Sequence, residues 1–167
     1  MRISVRRTLY RLRQFSQAIE ERRTPVVCDL FDSHLDERGH QFLFALSARD
    51  QAHSARTAGL LMRNPNSDPE LVTAALLHDV GKGEQELWHR GAYVLIGAVS
   101  PRLLRLAARG GPGWRGALHR SLRHSELGAE MAGAAGYGEG ICNLIAGHHG
   151  PILDARQQAL QWADELA

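Results

Sequence analysis

The chain has 167 residues, 44% of them hydrophobic, which is enough for one domain to fold around its own core. A formal net charge of +2 is too small to indicate a nucleic-acid-binding protein. The two cysteines have no CxxC spacing and fit a reducing compartment better than a disulfide framework. The N-terminus lacks the apolar segment of a signal peptide, and no run reaches the roughly 20 apolar residues of a membrane span. We therefore expect a cytoplasmic protein without a membrane span.

Helical periodicity dominates the first part of the chain, where apolar residues recur on one face and arginine occupies the others. We interpret that arginine-rich face as solvated. The predicted helices here are Ser4–Arg22, Val26–Leu35 and His40–Leu46, the last two separated around Gly39. They form a predicted N-terminal extension, residues 1–46, that packs on a core domain of residues 47–167.

The next two helices have clear start signals. Ser47 followed by Asp50 is a capping-box pattern, with Asp in place of Glu, and it begins a helix that runs to Arg63 and carries His53. Asp68-Pro69 combines an N-cap carboxylate with proline at the first helical position. The helix that follows is almost wholly apolar and is therefore predicted to be central. It ends in His78-Asp79, where Gly81 opens the backbone.

The stretch Leu87–Arg109 is also predicted to be helical, with an interruption at Pro101. An apolar patch, Ala92–Val99, is followed by three arginines. An interfacial membrane helix has the same pattern, but we favour ordinary packing. The glycine-rich segment 110–113 is predicted to be a loop.

The C-terminal part is again helical. From Leu118 onward the pattern is helical, and His124 leads into a helix, Ser125–Ala135, that Gly136 would cap. A helix at Ile141–His148 follows, and the last one runs from Asp154 to the end of the chain and carries Asp164. Since no strand pattern of useful length occurs, the predicted fold is all-α, a compact single-domain helical bundle.

Seven histidine and aspartate side chains lie on or at the ends of these separate helices, as expected when an ion site forms between helices of a bundle. They are His53, His78, Asp79, His124, His148, His149 and Asp164. Neutral imidazoles and carboxylates together suit Mn²⁺, Fe, Co²⁺ or Zn²⁺. The remaining histidines, His34, His40, His89 and His119, are not predicted to be ligands.

The order of these residues resembles the HD-domain superfamily of metal-dependent phosphohydrolases. An isolated histidine, His53, precedes the pair His78-Asp79, and a late aspartate, Asp164, follows in an Ala-Asp segment. The resemblance covers Asp50 to Glu165 and implies a helical bundle of the HD-domain type.

Two further features are similar to the binuclear branch, which includes the HD-GYP and cyclic-di-AMP-hydrolysing phosphodiesterases. His124 corresponds to a histidine after the His-Asp helix, and His148-His149 to a later pair. No Gly-Tyr-Pro signature follows His149, so cyclic-di-GMP specificity of the HD-GYP kind is not implied. Arg49 stands where trinuclear members have a glutamate, so a third metal is not expected.

The resemblance implies a role for each residue. Asp79 would bridge two ions, with His53, His78 and Asp164 completing the first site and His124, His148 and His149 the second. A hydroxide held by the ions would attack phosphorus, because two ions roughly 3.5–4 Å apart can clamp a phosphoryl group for in-line attack. Nineteen of the twenty basic residues are arginine. The only lysine, Lys82, would neutralise charge on the phosphate oxygens.

Three functions are compatible with this pattern. The first is a binuclear phosphodiesterase acting on a phosphorylated small molecule, a nucleotide or a cyclic dinucleotide. The second is a mononuclear nucleotidase or triphosphohydrolase, in which the extra histidines position phosphate. The third is a non-catalytic module that senses a ligand, which has no physical need for a complete set of metal ligands.

Overall fold

The structure is a computed structural model that describes residues 28–65 and 67–167. Within those ranges it contains nine α-helices, one 3₁₀-helix at Val80–Lys82 and no strand. The helices are α1 (Cys28–His34), α2 (Glu37–Phe44), α3 (Ala48–Met62), α4 (Pro69–Leu77), α5 (Leu87–Val99), α6 (Pro101–Ala107), α7 (Trp114–Ala135), α8 (Glu139–Gly147) and α9 (Ala155–Leu166). The predicted all-α fold is confirmed. The predicted helix Ser4–Arg22 lies outside the described residues, and the division at residue 47 stays a prediction.

Helix α4 lies at the centre of the molecule because its sequence has no polar face. Every residue from Leu71 to Val80 is buried, and α3, α8 and α9 pack around it. The helix begins as predicted: the Asp68 side chain accepts a hydrogen bond from the backbone N–H of Leu71, and Pro69 follows. It ends at Leu77, so His78 and Asp79 lie in the turn that leads to the 3₁₀-helix.

Two other predicted helix ends are confirmed. The Ser47 hydroxyl caps α3 by accepting a hydrogen bond from the backbone N–H of Asp50. Gly136 ends α7 with a left-handed backbone (φ of 95°), a conformation that favours glycine. These helix ends could be predicted from the sequence because a cap depends only on residues within one turn.

Three predicted helix boundaries are wrong. The break between the first two described helices lies at residues 35–36, because the Asp36 carboxylate caps α2 by accepting from the backbone N–H of Gly39, which is inside that helix. The segments before and after His124 form one helix, α7, with a kink at Arg123. Helix α8 begins two residues before the predicted Ile141 and ends before His148.

The hairpin of α5 and α6 packs on the start of α7 through a small apolar cluster of its own. Leu104, Ala108 and Leu118 are its buried members, and they lie apart from the larger core around α4. In the described part of the chain, no helix is both long and apolar enough to cross a membrane.

Candidate metal centre

The seven predicted ligands converge in one place although they come from five helices. His53 lies on α3, and His78 and Asp79 follow α4. The others lie on α7, after α8 and on α9: His124, His148, His149 and Asp164. Their ligand atoms form three overlapping groups, in each of which the atoms lie within 4.8 Å of one another. The structure thus brings the whole predicted set together at a cleft of about 690 Å³.

The first group surrounds Asp164. Oδ1 of Asp164 lies 2.8 Å from Nε2 of His53 and 3.3 Å from Nε2 of His78. His53 and Asp164 are half-buried in the cleft wall, whereas His78 is completely buried beneath them. His53, His78 and Asp79 also form one of the close groups, as expected for the first predicted ion site.

The second group consists of three imidazoles. Nε2 of His124 lies 3.1 Å from Nε2 of His148 and 3.1 Å from Nε2 of His149. His148 also belongs to a close group with His78 and Asp164, a proximity to the first site that the sequence did not indicate.

Asp79 lies between the two groups. Its Oδ2 is 3.6 Å from Nε2 of His78. Its Oδ1 is 3.4 Å from Nε2 of His124 and 4.0 Å from Nε2 of His148. The two oxygens of one buried carboxylate therefore face the two histidine clusters, which is the geometry that a shared ligand requires.

Three of the histidines are oriented by backbone carbonyls. Nδ1 of His78, His124 and His148 lies 2.7, 2.9 and 2.6 Å, respectively, from the carbonyl oxygen of the residue three positions earlier. A carbonyl can only accept, so each Nδ1 carries a proton, and Nε2 presents a lone pair when the ring is neutral. Two of these histidines follow helix ends and one follows a kink. The last carbonyls of a helix lack backbone partners, so a side chain at such a position can bond to them.

The electrostatics differ between the two groups. Burial lowers the pKa of His124 to about 4 and that of His148 to about 3, so both are neutral, as metal-ligating imidazoles must be. Burial also disfavours the charged form of His78, but Asp79 and Asp164 outweigh it and raise the pKa to about 9. The carboxylates of Asp79 and Asp164 thus concentrate negative charge around Nε2 of His78, which favours a cation there.

The donor set fits divalent metal ions. Nε2 of His78 and Oδ1 of Asp79 are buried and have no hydrogen-bond partner among the described residues, and buried polar atoms without partners are costly. Nε2 of His124 and Nε2 of His148 direct lone pairs toward each other across 3.1 Å, an arrangement that a shared cation would stabilise. Imidazole nitrogens and carboxylate oxygens are the ligands that Mn²⁺, Fe, Co²⁺ and Zn²⁺ accept.

Basic side chains surround the same cleft. The ammonium of Lys82 forms an ion pair with Oδ2 of Asp79. The only lysine of the chain therefore lies next to the candidate metal centre. Arg49, Arg56 and Arg90 also line the cleft.

Sequence reasoning missed the contacts that hold the Lys82 segment in place. The Gln85 amide is buried and donates to the Lys82 carbonyl (3.2 Å) and to Oγ of Ser121 (2.8 Å). The Arg120 guanidinium donates to the carbonyls of Lys82 (3.1 Å) and Glu84 (3.2 Å). No local pattern marks either residue, because the contacts of Gln85 with Ser121 and of Arg120 with Lys82 join segments that are far apart in the chain.

A second missed feature is the ion pair between Arg90 on α5 and the buried Asp50 on α3. The sequence explained Asp50 as part of a capping box, and its Oδ2 does accept from the Ser47 hydroxyl at 2.6 Å. The same carboxylate also holds Arg90 at the cleft. With nineteen arginines in the chain, nothing singled out Arg90 in advance.

Comparison with known protein families agrees with this site. The family model of the HD domain matches residues 49–167, which include all seven residues of the cluster. No curated protein and no solved structure gives a significant match to the chain. The order of the residues, their convergence and the family match lead to one conclusion: the chain belongs to the HD-domain superfamily of metal-dependent phosphohydrolases.

Proposed function

We propose that this protein is a phosphodiesterase that binds two divalent metal ions and hydrolyses a nucleotide or a cyclic dinucleotide. The observation that carries the proposal is the position of Asp79, whose two carboxylate oxygens face separate histidine clusters. A single-ion enzyme needs only the first cluster. Of the three additional imidazoles, His124 and His148 are buried and held by backbone carbonyls, which is costly unless they hold a second cation.

The residues divide into two ligand sets that share Asp79. One set is His53, His78 and Asp164, which meet around Oδ1 of Asp164, and the other is the close group of His124, His148 and His149. When bound, the two ions would polarise the phosphoryl group and lower the pKa of a water molecule. The protein itself keeps Nε2 of His78, His124 and His148 aimed inward through the Nδ1–carbonyl bonds, and such bonds to metal-ligating histidines raise their basicity.

Lys82 and Arg90 are the basic residues best placed to contact the phosphate. Lys82 lies against Asp79, and Arg90 is held at the cleft wall by Asp50. An ammonium acts as a point charge, whereas a guanidinium can bind two phosphate oxygens at once. We infer that Lys82 stabilises charge that develops during attack and that Arg90 positions the ground-state phosphate.

The cleft has room for a group larger than phosphate. Tyr93, Val94 and Leu122 line both the 690 Å³ cleft and an adjoining apolar pocket of about 370 Å³. An aromatic ring in such a place can stack on a nucleobase. This supports a nucleotide substrate whose base or nucleoside extends from the metal centre toward α5.

The experiment is metal analysis of the purified protein together with hydrolysis of an aryl phosphodiester in added Mn²⁺. We expect about two metals per chain and activity that Asp79→Asn abolishes, with circular dichroism verifying the fold of the variant. His119→Ala is the control, because His119 is a histidine outside the three ligand groups.

Other outcomes would indicate the other candidate functions. One metal per chain, with preference for a phosphomonoester or a triphosphate, would support a mononuclear nucleotidase or triphosphohydrolase instead. The absence of both metal and activity after reconstitution would contradict any hydrolase and support a ligand-sensing module.

A further inference from the structure

The exposed side of α5 is apolar from Trp88 to Val99. Its exposed positions are Trp88, Gly91, Val94, Leu95, Ala98 and Val99. They recur at the three- and four-residue spacing of one helical face, and none is charged. Leu95 is 69% exposed and Val99 is 78% exposed. The opposite side, through Ala92, Tyr93 and Ile96, packs on the small cluster with Leu104. The ordinary packing expected from the sequence therefore covers only one side of this helix.

Helix α6 continues this apolar surface and adds positive charge. Leu104 is buried, while Leu103 and Leu106 are 51% and 62% exposed. Arg102 and Arg105 are exposed on the same helix, one turn apart. The solvent side of α6 therefore carries leucines beside arginines, the composition of a helix that lies in the surface of a bilayer.

Apart from Glu86 at the start of α5, which accepts a hydrogen bond from the indole N–H of Trp88, the charge along this face is positive. From residue 87 to residue 125 the chain contains seven arginines and no aspartate or glutamate. Arg90 and Arg123 pair with acidic residues from outside the segment, and Arg120 binds backbone carbonyls. The remaining four, Arg102, Arg105, Arg109 and Arg115, are exposed, and none forms an ion pair with an acidic residue in the described ranges.

We infer that the face formed by the exposed residues of α5 and α6, together with Arg102, Arg105, Arg109 and Arg115, docks onto an anionic phospholipid surface. Apolar side chains would enter the boundary between headgroups and acyl chains, and the arginines would contact lipid phosphates. Val94 belongs both to this face and to the wall of the metal cleft, so bound lipid would lie beside the cleft mouth.

The alternatives fit the same observations less well. A nucleic acid would satisfy the arginines but leave Leu95, Val99, Leu103 and Leu106 without apolar partners. A symmetric contact with a second copy would bring like charges together, because the segment has no acidic residue to pair with them. Residues 1–27 do not supply the missing anions either, since they contain seven arginines and two glutamates.

Vesicle co-sedimentation of the full chain tests the inference without requiring activity. We expect the protein to sediment with phosphatidylcholine vesicles that contain phosphatidylglycerol and to remain in solution with phosphatidylcholine alone. High salt should weaken the binding, because the arginine contribution is screened. No sedimentation with the anionic vesicles at low salt would overturn the proposal.

Matched variants locate the surface. The double variant Leu95→Asp/Val99→Asp and the double variant Arg102→Glu/Arg105→Glu should each reduce the partition coefficient at least tenfold, since each removes one of the two attractions. Leu153→Asp and Arg63→Glu are the controls, because Leu153 is 80% exposed and Arg63 is exposed on other parts of the protein. Full binding by both double variants would overturn the assignment to this face.

Light scattering measures whether the face is instead a contact between two copies of the chain. A wild-type dimer that Leu95→Asp/Val99→Asp converts to a monomer would identify the face as a contact between copies and would overturn the lipid proposal. The lipid proposal would also be overturned if the protein bound a DNA duplex through Arg102 and Arg105 and did not bind vesicles. Thermal unfolding of each variant shows whether a loss of binding reflects a loss of folding.

Discussion

Gly81 packs directly against the backbone of α7 at His124. A Cβ atom on residue 81 would lie 2.0 Å from the His124 carbonyl oxygen and 2.6 Å from the Gly128 amide nitrogen. Both distances are far below contact distance, so only glycine fits. This contact brings the segment that carries Asp79 and Lys82 against the helix that carries His124, and thereby joins the two histidine clusters.

Gly81→Ala should therefore damage the proposed second metal site. The methyl group must push α7 away from the 3₁₀-helix, since both atoms that it meets belong to the backbone. We expect a loss of about 1–3 kcal/mol in the free energy of unfolding, as for other overpacked sites, and reduced metal content. Gly59→Ala is the control, because a Cβ there has nothing within 4 Å. Wild-type stability and metal content in Gly81→Ala would contradict this account.

Single ligand substitutions should separate the two proposed metal sites. His149→Ala removes a ligand from the second group only, and His53→Ala removes one from the first. If each group holds one ion, each variant retains about one of two metals when analysed by mass spectrometry after gel filtration. A variant of either group that loses both ions, while remaining folded, would show that the groups form one indivisible site.

Lys82→Met should reduce kcat without loss of metal. The ammonium competes with metal for the Asp79 carboxylate, with which it is paired, so its removal leaves metal affinity unchanged or higher. A group that stabilises charge only in the transition state contributes roughly 10²–10³-fold to kcat, and KM should change little. Lower metal content, or an effect confined to KM, would contradict the proposed role of Lys82.

The ion pair between Arg90 and Asp50 should stabilise the fold as well as position Arg90. Removing one partner of a buried pair leaves an uncompensated charge and costs roughly 3–5 kcal/mol. Because the Arg90 side chain is 22% exposed, we expect Arg90→Ala to cost about 2 kcal/mol. Urea unfolding of Arg90→Ala, Asp50→Asn and the double variant measures the coupling. Strictly additive effects would mean that the pair contributes nothing to stability.

The hydrogen bond from the Tyr137 hydroxyl to the Asp36 carboxylate, at 2.6 Å, should make stability depend on pH. This bond, with that from Gly39, lowers the pKa of Asp36. Burial and the same carboxylate raise the pKa of Tyr137. The Asp36 contribution is therefore present above roughly pH 4, the ordinary value, and is lost as the pH falls through the folded-state pKa. The Tyr137 contribution is present below roughly pH 10 and is lost above it.

Tyr137→Phe tests this linkage by thermal unfolding over a range of pH. We expect it to cost about 1 kcal/mol at pH 7, the net value of an ordinary hydrogen bond, since Asp36 is exposed. The difference from wild type should shrink once Asp36 is protonated. A constant difference down to acidic pH would assign the effect to packing.

Several parts of this molecule could be predicted from the sequence because they depend on neighbours in the chain. The caps at Ser47 and Asp68 use side chains within one turn of the helix start. Gly136 ends its helix through its own backbone freedom. The burial of α4 follows from an apolar run without a polar face. The seven candidate ligands follow from the order of histidine and aspartate residues along the predicted helices. The predictions failed where a local signal had a nonlocal cause, as at Gly39, which is buried against Leu35 and Tyr137 rather than marking a break.

By itself, the sequence determined the all-α class, the approximate helices and the chemical identity of the proposed ligands. Only the tertiary structure decided that Asp79 faces both histidine clusters, that Arg90 pairs with Asp50, that Gly81 contacts α7 and that one side of α5 stays exposed. Caps and periodicity are set by interactions a few residues apart. These four relationships instead join residues that are distant in the chain or depend on how helices pack. These four relationships could therefore be established only from the packing of the whole bundle.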